Sequence, residues 1–166
     1  MPEISYSIRP FLPEEVEIYK AMRLEALQLE PGMFGNSHAL EAAFTNEQWL
    51  ARLTDPYRAC FGLFFNGELI GITAIITEQE KPGEAYMTQS YIRKAHRGKG
   101  LSRLLYEARL AWAKEHDVKR LIIGHRRSNA TSKAANQHYG FRYTHNESRT
   151  WPDGATEDML YYVLDL

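Results

Sequence analysis

The chain has 166 residues, 44% hydrophobic and 12% aromatic, which is enough to build the core of one domain. Twenty lysines and arginines against 21 aspartates and glutamates leave a net charge of −1, so no global field favours nucleic acid or anionic membrane. With no run near the ~18 apolar residues of a membrane span, no signal-peptide pattern in MPEISYSIRP and one cysteine, Cys60, without an internal partner, the expectation is one cytoplasmic domain over residues 1–166.

Residues 4–10, ISYSIRP, alternate as an edge strand does. Pro13 followed by Glu14 and Glu15 starts a helix that runs to about Gln28, with its acidic residues at the positive end of the dipole. Residues 29–46 carry Pro31, Gly32 and Gly35 and form a long irregular segment, a candidate binding loop. A short helix follows over 46–54. Residues 59–65 and 69–77 are β-prone and flank Asn66-Gly67, the dipeptide favoured by a type I′ hairpin turn. Lys81-Pro82-Gly83 is a further turn, and 84–93 the next antiparallel strand.

The period then changes. Leu101, Leu104, Leu105, Ala108, Ala111 and Trp112 recur at helical spacing, while Arg103, Glu107, Arg109 and Lys114 fall elsewhere on the wheel. In KRLIIGH, residues 119–125, Leu121, Ile122 and Ile123 form the continuous apolar run of a strand buried on both faces. Strand, helix and strand in succession imply a right-handed crossover and a parallel pair. A short helix over 130–138 ends at Gly140, a left-handed cap, and strands at about 141–149 and 157–164 are joined through WPDG.

Ahead of the long amphipathic helix, Gly98 and Gly100 stand among Arg97, Lys99 and Ser102. Such a stretch is either a surface turn or a cradle for phosphate. A helix N-terminus exposes unpaired N–H groups and about half a positive charge, and glycine removes the Cβ atoms that block approach. The spacing matches neither a P-loop nor a dinucleotide-binding fingerprint.

Taken in order, the strand, RGKGLS, the amphipathic helix, RLIIGH and NATSKAANQHYGF resemble the GNAT superfamily of N-acyltransferases. Gly98 and Gly100 match that family's loop, while Ala95 stands where the family has Gln or Arg. The resemblance implies an α/β (α+β) fold: a mixed, mostly antiparallel seven-stranded sheet with a central splayed parallel pair, 84–93 and 119–125, and helices on both faces. It implies acetyl-coenzyme A as co-substrate, its pyrophosphate held by the backbone of Arg97, Gly98, Lys99, Gly100, Leu101 and Ser102. Pantetheine then lies along the main chain of Tyr91, Ile92 and Arg93. Asn129 and Asn136 are further coenzyme partners by the same resemblance, with helix capping the alternative for Asn129. The implied reaction is direct acetyl transfer to a primary amine of a small molecule or peptide in a ternary complex. The alternative is a coenzyme-binding module without turnover, motivated by Ala95 and by Asn136, where many members have tyrosine.

Three residues are candidates for proton transfer. Glu84, on a strand, shares a face with Tyr86, Thr88, Ser90 and Ile92 and so lines the acceptor cleft as a base, or else is a solvated residue after a turn. Tyr139 is a candidate acid for the departing thiolate or a packing residue. His125 is a base or relay, or a hydrogen-bonded core histidine. Phe34, Tyr86 and Trp151 are candidate acceptor contacts. The two long loops that contain Phe34 and Trp151 also carry His38, Glu41, Asp153 and Glu157, and aromatics with carboxylates suit a cationic amine. No histidine stands at metal-ligand spacing with Cys60 or an acidic cluster, so no metal is expected. Dimerisation through the last strand is common in the family, which makes a homodimer an open expectation.

Overall fold

The computed structural model describes residues 5–166. Ile4, the expected first residue of the opening strand, lies outside the described residues. The sheet is built from β1 (Tyr6–Pro10), β2 (Arg58–Phe65), β3 (Glu68–Glu78), β4 (Lys81–Ile92), β5 (Arg120–Arg126), β6 (Arg142–Thr150) and β7 (Thr156–Asp165). Its spatial order is β1-β2-β3-β4-β5-β7-β6, and every neighbouring pair is antiparallel except β4 and β5. Around it lie α1 (Val16–Leu29), α2 (His38–Ala42), α3 (Asn46–Thr54), α4 (Ser102–Glu115) and α5 (Ala130–His138).

Local chemistry accounts for most of these boundaries. Asn66 and Gly67 have φ of 48° and 88°, the two positive values a type I′ turn needs to join β2 to β3. Thr45 and Gln48 form a reciprocal capping box at the start of α3. The segment expected to be irregular over 29–46 contains α2, because the Ser37 hydroxyl accepts the Leu40 N–H and starts a turn of helix. The turn expected at Lys81-Pro82-Gly83 falls earlier: β3 continues to Glu78, which pairs with Lys81, so β4 already begins there.

Two apolar layers fix the faces of the sheet. Tyr19, Met22 and Ala26 of α1 and Trp49 of α3 pack with Ile72, Ala74 and Tyr91 on one face. Tyr106 and Ala113 of α4 pack with Ile75, Ala85, Met87 and Leu121 on the other. Within α4 the buried face includes Arg109, whereas Ala111 is exposed, which reverses the expected positions of both residues.

Two irregularities in the centre of the sheet create the site. First, β4 and β5 pair only at Glu84↔Arg120, Ala85↔Leu121 and Tyr86↔Ile122, and then separate. Second, β4 carries a bulge opposite Thr73, where Gln89 adopts a φ of 60°. A bulge inserts one residue and so inverts the alternation beyond it. Met87 faces α4, but Gln89 and Tyr91 face α1, where the Tyr19 hydroxyl donates to Gln89 Oε1 at 2.6 Å. Ser90 is turned the opposite way, within 2.9 Å of the Thr73 hydroxyl. Glu84 therefore shares its face with Tyr86 and Thr88, and not with Ser90 and Ile92.

Candidate active site

A cavity of about 570 Å³ passes through the opening between β4 and β5. Its α4 side is walled by Leu105, Tyr106, Arg109, Ile123 and His125, and its α1 side by Phe34, Tyr86, Ile122, Trp151 and Tyr161. A second cavity of about 460 Å³ shares residues from three sides of the first, among them Phe34, Ser90, Ser102, Leu105 and Asn129, and runs on past Tyr91 and Ile92 to Gly98 and Gly100. Together they form one trough from the N-terminus of α4 to the split in the sheet.

The loop at the head of this trough is shaped by its glycines. Gly98 and Gly100 have φ of 78° and 73°, and a Cβ at either position would meet no atom within 4 Å. Backbone conformation, not crowding, requires glycine there. The N–H groups of His96 and Arg97 close turns onto Arg93 and Lys94. Those of Gly98, Lys99, Gly100, Leu101 and Ser102 have no acceptor among the described residues. Five consecutive unpaired donors at a helix N-terminus fit a diphosphate.

The side chains beside this loop contribute less than expected. Arg97 is held against β4: its Nε donates to Ile92 O at 2.7 Å, its Nη2 to Glu30 at 2.6 Å, and its guanidinium lies over the Tyr91 ring. Lys99 is exposed and its side chain lines neither cavity. Arg93 is also taken up elsewhere, its N–H by Ile70 O and its guanidinium by Glu25 at 2.9 and 3.0 Å. Tyr91 and Ile92 do line the second cavity.

Asn129 faces both cavities and at the same time caps α5, its Oδ1 accepting the Ser132 N–H at 3.0 Å. Asn136 is fully buried and lines neither cavity. Instead its Oδ1 accepts the hydroxyl of Tyr106 at 2.6 Å, so it fixes a tyrosine that does reach the cavity. Tyr139 stacks flat on Tyr106, with ring centres 4.4 Å apart, and stays outside the cavity. Burial raises the pKa of both hydroxyls.

His125 lines the cavity with both nitrogens occupied. A carbonyl can only accept, so Nδ1–H donates to Arg126 O at 2.7 Å, which leaves Nε2 to accept from the Tyr162 hydroxyl at 3.1 Å. That is the core-histidine arrangement. Glu84 is not brought to the cavity; it lies at the closed end of the strand pair, in register with Arg120. The carboxylate that does line the first cavity among the described residues is Glu78, the last residue of β3.

On the α1 side, Phe34, Tyr86 and Trp151 line the same cavity. The loop carboxylates do not remain free for an amine. Glu41 is buried against Arg23 at 2.9 Å and Arg52 at 2.7 Å; burial pushes its pKa up, but the two guanidiniums hold it below the ordinary value. Asp153 and Glu157 both bind Arg126, at 2.6 and 2.5 Å, which lowers both of their pKa values. Arg126 also donates to Gly32 O at 3.0 Å and lies 5.4 Å from the centre of the Trp151 ring, fastening the β6–β7 hairpin to the α1–α2 loop. His38 is exposed and lines neither cavity.

Residues 21–141 match the model of the acetyltransferase (GNAT) family. The chain belongs to the GNAT acetyltransferase family. Solved GNAT-like structures share its fold at low identity. An acetyltransferase of the GNAT family from Streptococcus pneumoniae is 19% identical over 98% of this chain and 100% of its own, with a TM-score of 0.83. A Salmonella typhimurium protein, yncA, with its cofactor acetyl-CoA is 18% identical over 97% of this chain and 94% of its own, at 0.80. The ribosomal-protein-alanine N-acetyltransferase from Brucella melitensis is 19% identical over 96% and 99%, at 0.78. No curated protein matches the sequence. Among the described residues of this GNAT chain, no group of three or more His, Cys, Asp or Glu side chains could hold a metal ion, and no helix is long and apolar enough to cross a membrane.

Proposed function

We propose that this protein transfers an acetyl group from acetyl-coenzyme A to a primary amine that approaches from the α1 face. The observation that carries this reading is the row of unpaired N–H groups from Gly98 to Ser102, opening onto a trough that leads to the split between β4 and β5. Those donors suit the pyrophosphate, and the unpaired edges of the parted strands suit the amides of pantetheine. The coenzyme supplies an activated thioester. The main chain of β4 beyond Tyr86 has no partner on the β5 side and is available to polarise the thioester carbonyl.

The acceptor must lose a proton. An amine with a pKa of ~10.4 is neutral in only about one molecule in 2,500 at pH 7. Glu78, on the cavity wall, takes the role of base in this reading in place of Glu84, directly or through water. Tyr106 also reaches the cavity, but its one proton is donated to Asn136, so in this reading the departing thiolate takes its proton from the protonated base or from water. The acceptor wall of Phe34, Tyr86, Trp151 and Tyr161 favours an amine carried on an apolar or aromatic body, or the end of a peptide.

Thermal unfolding with and without acetyl-coenzyme A tests the reading. Ligand at 100 times its Kd adds about 2.7 kcal/mol, and Gly100→Asp, which places a carboxylate and a strained φ in the loop, removes that gain. Thiol release with a panel of amines tests turnover. Stabilisation without release of thiol from any amine supports a binding module, and the absence of both rejects the reading.

A further inference from the structure

The buried charged groups Arg23 and Glu41 neutralise each other, but Arg109 is buried without an acid among the described residues. Its side chain is 1% exposed and lines the first cavity on the α4 side. Nε donates to Leu105 O at 3.0 Å, one turn back in α4, and the Tyr106 ring lies 5.0 Å from the guanidinium carbon. Nη1 is buried with no acceptor, and Nη2 donates to no described residue. Burial draws the pKa down to about 10, which still leaves a cation at neutral pH.

An isolated buried cation is costly, and a guanidinium with both terminal nitrogens open presents the planar fork that a carboxylate fits. We infer that Arg109 receives a carboxylate at the far end of the acyl group, so that the preferred donor is a coenzyme A half-thioester of a short dicarboxylic acid. This rests on the proposed coenzyme site and keeps the transfer to an amine, but replaces acetyl by a longer, carboxylate-bearing acyl group as the preferred one. Three features place the carboxylate on the donor and not on the acceptor. Arg109 lies seven residues beyond Ser102, about 10 Å along the helix axis, on the side from which the coenzyme arm arrives. The acceptor wall is on the opposite face of the sheet. Glu78, the carboxylate of the cavity, shares its strand face with Ile76 and Tyr86 on that opposite side and does not neutralise Arg109.

The transfer itself is unchanged. The acceptor ammonium first gives up one proton to the base and thence to solvent; its nitrogen then bonds to the thioester carbonyl carbon, the C–S bond breaks, and the second proton lost from nitrogen goes to the thiolate. The distal carboxylate leaves intact on the product amide, so an acceptor that arrives with a positive charge departs with a negative one.

Calorimetric binding of coenzyme A, acetyl-, butyryl- and succinyl-coenzyme A tests the inference without knowledge of the acceptor. Succinyl- and butyryl-coenzyme A carry acyl groups of the same carbon count and differ in the terminal carboxylate. The expected result is at least a tenfold tighter Kd for succinyl- than for butyryl-coenzyme A. In Arg109→Leu that preference disappears while the affinity for coenzyme A itself stays the same; Arg109→Lys, retaining the charge without the fork, keeps part of it. Equal wild-type affinities for the succinyl and butyryl donors, with coenzyme A bound normally, overturn the inference and leave the coenzyme site standing. A preference that persists in Arg109→Leu also overturns it. Failure of every ligand, coenzyme A included, removes the coenzyme site and the inference together.

Discussion

Glu41 and Arg109 show how differently one fold treats a buried charge. Glu41 accepts from Arg23, Arg52 and Asn36, and through Arg23, whose guanidinium lies 5.1 Å from the centre of the Phe34 ring, it supports one wall of the acceptor side. Glu41→Gln leaves two guanidiniums facing each other without a counter-charge, and a loss of about 3–5 kcal/mol in urea denaturation is expected. In the proposed reaction Glu78 is the base. Glu78→Gln lowers kcat roughly a hundredfold at neutral pH, and the deficit shrinks as the pH rises toward the pKa of the amine, because more acceptor is then already neutral. A pH–rate profile of the two proteins checks this; parallel profiles exclude Glu78 as the base. The sequence makes such residues only partly legible. Arg109 lies four residues from both Leu105 and Ala113, so its buried position is written in the helical period, while its charge argues for the solvent side. Glu78 gives no signal at all, since a polar residue ending a strand is ordinary until a cavity is seen to reach it.

At the level of elements, the site is set by the parted strands and by the bulge in β4. The order of strands and helices, the Asn66-Gly67 turn and the parallel crossover follow from period and turn chemistry, and the structure has them. The bulge does not follow, because Gln89 is not a residue whose type announces a positive φ. Its conformation is secured by a long-range bond, Tyr19 to Gln89, between residues 70 positions apart. That one irregularity is why Glu84 does not share a face with Ser90 and Ile92, and why Tyr91 packs against α1. Gln89→Ala leaves the buried Tyr19 hydroxyl without its acceptor and costs about 1–3 kcal/mol of stability. It also loosens the edge of β4 that the proposed reading sets against the thioester, so kcat is expected to fall more than the affinity for coenzyme A; an equal fall in both argues that the bulge serves packing alone.

For the whole molecule, arginines hold several carboxylates below their usual range. Arg9 draws Glu15 down to about 2, Arg93 lowers Glu25, Arg23 and Arg52 lower Glu41 against its burial, and Arg126 lowers Asp153 and Glu157. Each such group has a folded pKa below its unfolded one, so in acid the unfolded chain binds more protons. Their contribution is complete above an ordinary Glu pKa of 4.5 and is lost as the pH falls from there toward about 2. Acid unfolding followed by circular dichroism should therefore fall within that window. The Arg126 cluster ties this electrostatics to the proposed function, because it joins the α1–α2 loop to the β6–β7 hairpin on the α1 side of the cavity, while the loop of unpaired N–H groups lies at the N-terminus of α4. Removing it separates the two halves of the site. Arg126→Gln is expected to raise the acceptor KM roughly tenfold with kcat little changed, the signature of lost uniform binding, while stabilisation by coenzyme A stays as in the parent. A parallel loss of coenzyme binding would mean that the two faces of the cavity are mechanically one, and that the acceptor loops support the split in the sheet as well as the amine.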